Sequence, residues 1–166
     1  MLLLRVTVSI LVTIYLIFQA ETDAKTGMVS WWLNTVMLCF TFLLWAMTTS
    51  FCLPSSYLLS TWIEMVLLMV VLYISTLNVP IIKKVMQPAD AKAFATIYFA
   101  SSFIMSISFA PIVLVMTLLI SHSSFIVWHR VIKKDSKGER KPYFPFILFG
   151  FVLVELLYFV LFFFLQ

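Results

Sequence analysis

Between Phe94 and Trp128 the chain runs for 35 residues without a charged side chain. One helix of that length would measure roughly 52 Å at 1.5 Å per residue, against about 30 Å of bilayer hydrocarbon. Four further apolar blocks accompany it, at about Leu2 to Ala20, Trp31 to Leu53, Tyr57 to Val79 and Phe144 to Leu165. Of the 166 residues, 63% are hydrophobic and 11% charged, where soluble domains have about 45–50% and about 25%. In water such a chain has nowhere to hide its apolar surface, so lipid is its natural solvent.

Two structures satisfy the backbone inside lipid, the helix and the closed β-barrel. Barrel strands alternate apolar and polar residues. Here the runs are continuous, as in Phe144 to Leu165, whose only charge is Glu155. The expected fold is therefore all-α: a polytopic transmembrane helix bundle with five or six membrane-crossing segments. Residues 1–166 are expected to form a single integral membrane domain with no soluble domain. The first block has an early Arg5 and a short apolar core, as a secretory leader does. Phe18 falls where cleavage after Ala20 would want a small residue, so the block is read as a span.

The breaks have physical causes. Glu21, Asp23, Lys25 and Gly27 read as a polar connector. Pro54-Ser55-Ser56 reads as a tight turn. Pro80, Lys83, Lys84 and Pro88 end the third block. The stretch from Arg130 to Lys141 holds six basic residues. The fourth block is either one helix kinked at Pro111 or a hairpin broken near it. With five crossings the basic residues divide seven to four across the membrane; with six they divide ten to one, only Arg5 standing apart. Basic connectors stay cytoplasmic, which favours the hairpin, a multi-pass protein and charged connectors on the cytoplasmic side. Trp31, Trp32, Trp128 and Arg130 stand at block ends and read as interfacial anchors. The net charge of +4 is thus explained by orientation, and nucleic acid is not an expected partner.

Ionisable groups inside hydrocarbon are costly and face a partner, a cavity or an ion path. Glu155 stands near the middle of the last block and Glu64 about two turns into the third. Each is either a proton or cation site or a neutral carboxyl bonded to a neighbouring hydroxyl. His122 and His129, seven apart, share a helix face as interfacial polar residues; two imidazoles alone make a poor metal site. Cys39 and Cys52 lie thirteen apart in one apolar block, too far for a disulfide on one straight helix. Ser102, Ser106 and Ala110 recur every fourth residue, a spacing that lets helices approach closely.

No catalytic, cofactor-binding or metal-binding motif emerges. Gly27, Gly138 and Gly150 are the only glycines, too few for a phosphate-cradling loop or a nucleophile elbow. Leu53-Pro54-Ser55-Ser56 closing the second block, Leu77-Asn78 closing the third, and Phe144-Pro145 opening the last after a basic stretch resemble the membrane part of pentameric ligand-gated channels. That resemblance, over about half the chain, implies helices around a pore; the block from Phe94 to Trp128 has no counterpart in it. The expected function is a non-catalytic accessory, assembly or inhibitory (immunity-like) subunit. Its partners would be the lipid bilayer and another membrane protein, or a second copy of itself. The alternative is a small transporter or ion-channel subunit using Glu155 and Glu64.

Overall fold

The computed structural model describes residues 2–52, 55–76, 87–105, 108–132 and 141–164. They form six helices: α1 (Leu2–Thr26), α2 (Trp31–Cys52), α3 (Ser55–Thr76), α4 (Pro88–Ile104), α5 (Ala110–Ile126) and α6 (Phe144–Phe164). A π-helical turn, Val127–Ile132, extends α5. No strand occurs among the described residues. Four helices carry apolar stretches long enough to cross a bilayer, over Leu3–Thr26, Trp31–Thr49, Ala110–Arg130 and Phe144–Leu161. Ser106, Lys83 and Lys84 lie outside the described residues, as does most of the basic stretch before Lys141.

Two helix ends differ from the sequence reading, and both differences have the same cause. α1 continues through Glu21, Asp23 and Lys25 to Thr26, where a polar connector is expected. Lys25 pairs with Glu21 one turn back, a spacing that suits a helix surface. The helix stops at Gly27, whose φ of 64° is left-handed and whose N–H bonds to the Asp23 carbonyl at 2.9 Å, as a C-terminal glycine does. α4 begins at Pro88 rather than near Phe94. Proline is tolerated in a first turn, where its missing N–H costs nothing, and Asp90 accepts the Gln87 N–H at 3.1 Å. Hydropathy marks where hydrocarbon ends; it does not mark where a helix ends.

α4 is the axis of the bundle. It packs against α1, α2, α3, α5 and α6. Thirteen of its 17 residues are buried, and none is fully exposed. Small side chains at Ala91, Ala93, Ala95, Ala100, Ser101 and Ser102 let the surrounding helices come close. One apolar cluster joins Val12 and Leu16 of α1 to Ile97 of α4 and to Phe144, Ile147 and Phe151 of α6. A second sets Trp45 of α2 against Ala95 and Phe99 of α4. The Trp45 ring lies 5.5 Å from Phe99 and 6.1 Å from Trp62 of α3. In lipid, helix association rests on such packing, because the tails are as apolar as the side chains.

The stretch from Phe94 to Trp128 doubles back. α4 ends at Ile104, residues 105–109 intervene, and Pro111 sits in the first turn of α5. The directions follow from side-chain contacts. The Tyr143 ring, just before α6, lies 5.1 Å from Phe125 near the end of α5. Its backbone N–H reaches Asp23 near the end of α1. Lys92, early in α4, covers the Trp31 ring that opens α2. Towards the far end, Phe109 stacks edge-on to Tyr158, and Ser9 meets Glu155 about halfway along α6. The starts of α2, α4 and α6 and the ends of α1 and α5 therefore share one end of the bundle. Asp23, Lys25, Asp90, Lys92, Arg130 and Lys141 gather there, and Phe109 lies towards the other.

α5 and α6 cross closely at Gly150. A Cβ placed on Gly150 would stand 2.5 Å from Ser121 Oγ and 2.8 Å from the Thr117 carbonyl. Gly150→Ala should therefore lower stability by about 1–3 kcal/mol, the usual cost of overpacking, in unfolding measurements in mixed micelles. Ser121→Ala in that background should recover only part, because the Thr117 backbone stays in the way.

Candidate functional site: polar groups closed inside the bundle

Glu155 stands near the midpoint of α6 and is 7% exposed. Ser9 of α1 places its hydroxyl 2.9 Å and 2.8 Å from the two carboxyl oxygens. A hydroxyl has one hydrogen, so it donates to one oxygen at a time. A neutral carboxyl would return its own hydrogen to Ser9 Oγ and give the pair two bonds. Glu64 of α3 is half-buried, and its Oε2 accepts a 2.6 Å hydrogen bond from Tyr98 of α4. The two acids thus belong to different helix pairs, α1–α6 and α3–α4, and each bonds to a hydroxyl.

A further polar group was not singled out in the sequence reading. Gln19 of α1, fully buried, grips both backbone groups of Ser30 just before α2. Its Oε1 accepts the Ser30 N–H and its Nε2 donates to the Ser30 carbonyl, each at 3.0 Å. Nε2 also donates to Asn34 Oδ1 at 2.7 Å, which receives the Tyr15 hydroxyl at 2.6 Å as well. This clamp fixes the turn between α1 and α2. Amides within apolar blocks are the one signal that could have found it, since an amide in lipid needs partners. Asp23 does similar work between α1 and α6. Its Oδ2 accepts the N–H groups of Tyr143 and Phe144 at 2.8 and 3.1 Å, occupying donors that the start of α6 leaves free. Burial, with the negative charge of Asp90 nearby, pushes the Tyr143 phenol up to about 12.

The remaining candidates fall in separate places. Ser102, buried on α4, bonds back to the Tyr98 and Phe99 carbonyls. Ala110 opens α5 across the break, so the fourfold spacing of Ser102 and Ala110 spans two helices. Trp31 and Trp32 are exposed at the start of α2, and Trp128 and Arg130 are exposed in the π-helical turn. His122 is exposed, whereas His129 is buried, its ring 4.7 Å from Phe125 and 5.7 Å from Phe146. The two imidazoles therefore do not share one environment. Among the described residues no group of three His, Cys, Asp or Glu side chains is placed to hold a metal ion.

Cavities lie elsewhere. One of about 700 Å³ runs between the end of α5 and the start of α6, walled by Trp128, Pro142, Pro145, Phe146 and Phe149. Another of about 300 Å³ lies between the α1–α2 connector and the start of α4. Neither is lined by Glu64 or Glu155. The long apolar helices are those of a multi-pass integral membrane protein. Comparison with family models, curated proteins and solved structures returned no match.

If Ser9 and Glu155 hold α1 to α6, their effects on stability are coupled. Ser9→Ala should destabilise the protein by about 1 kcal/mol, in the range of interhelical bonds in membranes. In a Glu155→Leu background it should cost close to nothing. Equal costs in both backgrounds, measured by unfolding in mixed micelles, would show that the bond contributes no stability.

Proposed function

We propose that this chain is a non-catalytic accessory or inhibitory subunit that binds another membrane protein through α3. The supporting observation is how α3 is packed. Its principal neighbour is α4, and it presents Trp62, Ile63, Val66, Leu67, Val70, Tyr73 and Ile74 outward, all exposed. Their spacing places them along one side of the helix. A shallow cavity on that side, walled by Trp62, Ile63, Val66 and Leu67, could receive a side chain of a partner. The two intramembrane carboxyls bond to hydroxyls of adjacent helices, which favours a structural role over an ion path.

In this reading the chain crosses the membrane six times, with the charged end of the bundle cytoplasmic. The gathering of Lys25, Lys92, Arg130 and Lys141 at that end agrees with the positive-inside rule, and Trp31, Trp32 and Trp128 serve as interfacial anchors.

Photo-crosslinking residues placed at Val66, Leu67 and Tyr73, and at Leu156 and Leu157 on the outer face of α6, test this in native membranes. The α3 positions should form a discrete protein adduct and the α6 positions should not; an adduct of twice the mass would identify a second copy. Lipid adducts alone at all five positions, with a lone monomer after mild extraction, would refute the subunit reading. Proton or cation flux in vesicles that is lost in Glu155→Gln would establish transport instead.

A further inference from the structure

We propose that the cavity between the α1–α2 connector and the start of α4 binds a phosphate group, with Lys92 and Asn34 as its donors. The cavity holds about 300 Å³, the lower end of the range for ligand pockets, about 300–1,000 Å³. Met28, Val29, Trp31, Pro88 and Ala89 form its apolar walls. Its polar members are Gln87, Lys92 and Asn34.

Lys92 is held in place from two sides. Its Nζ lies 4.6 Å from the Trp31 ring centroid and donates to Thr35 Oγ1 at 3.1 Å. An ammonium has three hydrogens, so donation to Thr35 leaves two for a ligand. No carboxylate forms an ion pair with Lys92 among the described residues. Asp90, the nearest acid on α4, is buried and accepts the Gln87 N–H.

Asn34 is the second and independent observation. It is fully buried, and its Nδ2 has no hydrogen-bond partner, a costly state for an amide. Rotating the amide gives no relief. Ser30 fixes the orientation of Gln19 through both its backbone groups, so Gln19 Nε2 must donate, and only Asn34 Oδ1 can accept. The Asn34 Nδ2 is therefore left without an acceptor, in a residue that lines the cavity. The cavity also adjoins the first turns of α2 and α4. The positive ends of their dipoles favour anions, while the N–H groups of Leu33 and Asn34 are already taken by Ser30, Pro88 has none, and Asp90 stands in the first turn of α4. An ammonium and an unpartnered amide offer positive charge and donors together, the chemistry that a phosphate oxyanion needs. The group could belong to an anionic lipid headgroup, with the apolar walls against its glycerol and chains, or to a free phosphate.

The test uses the full chain, purified in detergent, with native mass spectrometry under titration by phosphatidylglycerol or phosphatidylcholine. A second arm measures thermal stability in inorganic phosphate without lipid. The wild type should retain one phosphatidylglycerol in preference to phosphatidylcholine. Lys92→Gln should weaken that binding about tenfold, and Lys25→Gln, a change at the same end but outside the cavity, should not. A rise in melting temperature with phosphate that Lys92→Gln abolishes would support the site with a free ion as ligand. Should Lys92→Gln fail to fold, acylation of the wild type replaces it: phosphatidylglycerol should protect Lys92 and leave Lys25 reactive. Equal losses in Lys92→Gln and Lys25→Gln, equal protection of both lysines, or no response to either probe would overturn the proposal.

Discussion

A helix surrounded by other helices must give each of them a surface to pack on, and α4 meets that demand by being short and built of small side chains. Its 17 residues extend about 25 Å at 1.5 Å each, a little less than the hydrocarbon thickness. Every other helix among the described residues touches it. Because α4 is enclosed, it can carry Thr96, Tyr98, Ser101 and Ser102 at the depth of the membrane without exposing them to lipid. Because it sits at the centre, α5 must run back alongside it, and that return brings the charged helix ends together.

Polar groups do much of the joining. Ser9 with Glu155 ties α1 to α6, and Tyr98 with Glu64 ties α4 to α3. Gln19 and Asn34 tie α1 to α2, and Asp23 secures the start of α6. In water each such bond would exchange with solvent for little gain. Within lipid an unmade bond is costly, so these contacts select one arrangement of helices that apolar packing alone would leave loosely defined. Asn34 Nδ2 is one donor that the bundle leaves unmet, as are Trp45 Nε1 and Arg5 Nε.

The helical membrane class was legible because it depends on run length and charge, which composition carries directly. The bounds of α2 and α6 also match their apolar blocks to within a residue, since both ends coincide with a change in polarity. The start of α4 and the end of α1 were not legible. Asp90, Lys92, Asp23 and Lys25 resemble loop residues by composition; local pairing of Lys25 with Glu21 and of Asp90 with the Gln87 N–H, and contacts of Asp23 and Lys92 with other segments, hold them in helices. Likewise, Glu64 and Glu155 stood out as rare charges, but many serines and tyrosines could have partnered them. The spacing of Ser102, Ser106 and Ala110 assumed one continuous helix, whereas the break after Ile104 separates its ends. A close crossing instead uses Gly150 against Thr117 and Ser121, a glycine with no neighbouring repeat to mark it.

The account depends on the chain reversing between α4 and α5 within a bilayer, and sidedness measures that directly. Single cysteines introduced by Lys25→Cys, Ser108→Cys and Lys141→Cys in a background without Cys39 and Cys52 can be labelled in sealed vesicles by a membrane-impermeant maleimide. Lys25 and Lys141 should be reactive from one side and Ser108 from the other. If Lys25 and Lys141 reacted from opposite sides, the stretch from Phe94 to Trp128 would cross only once, and the bundle around α4 would be wrong.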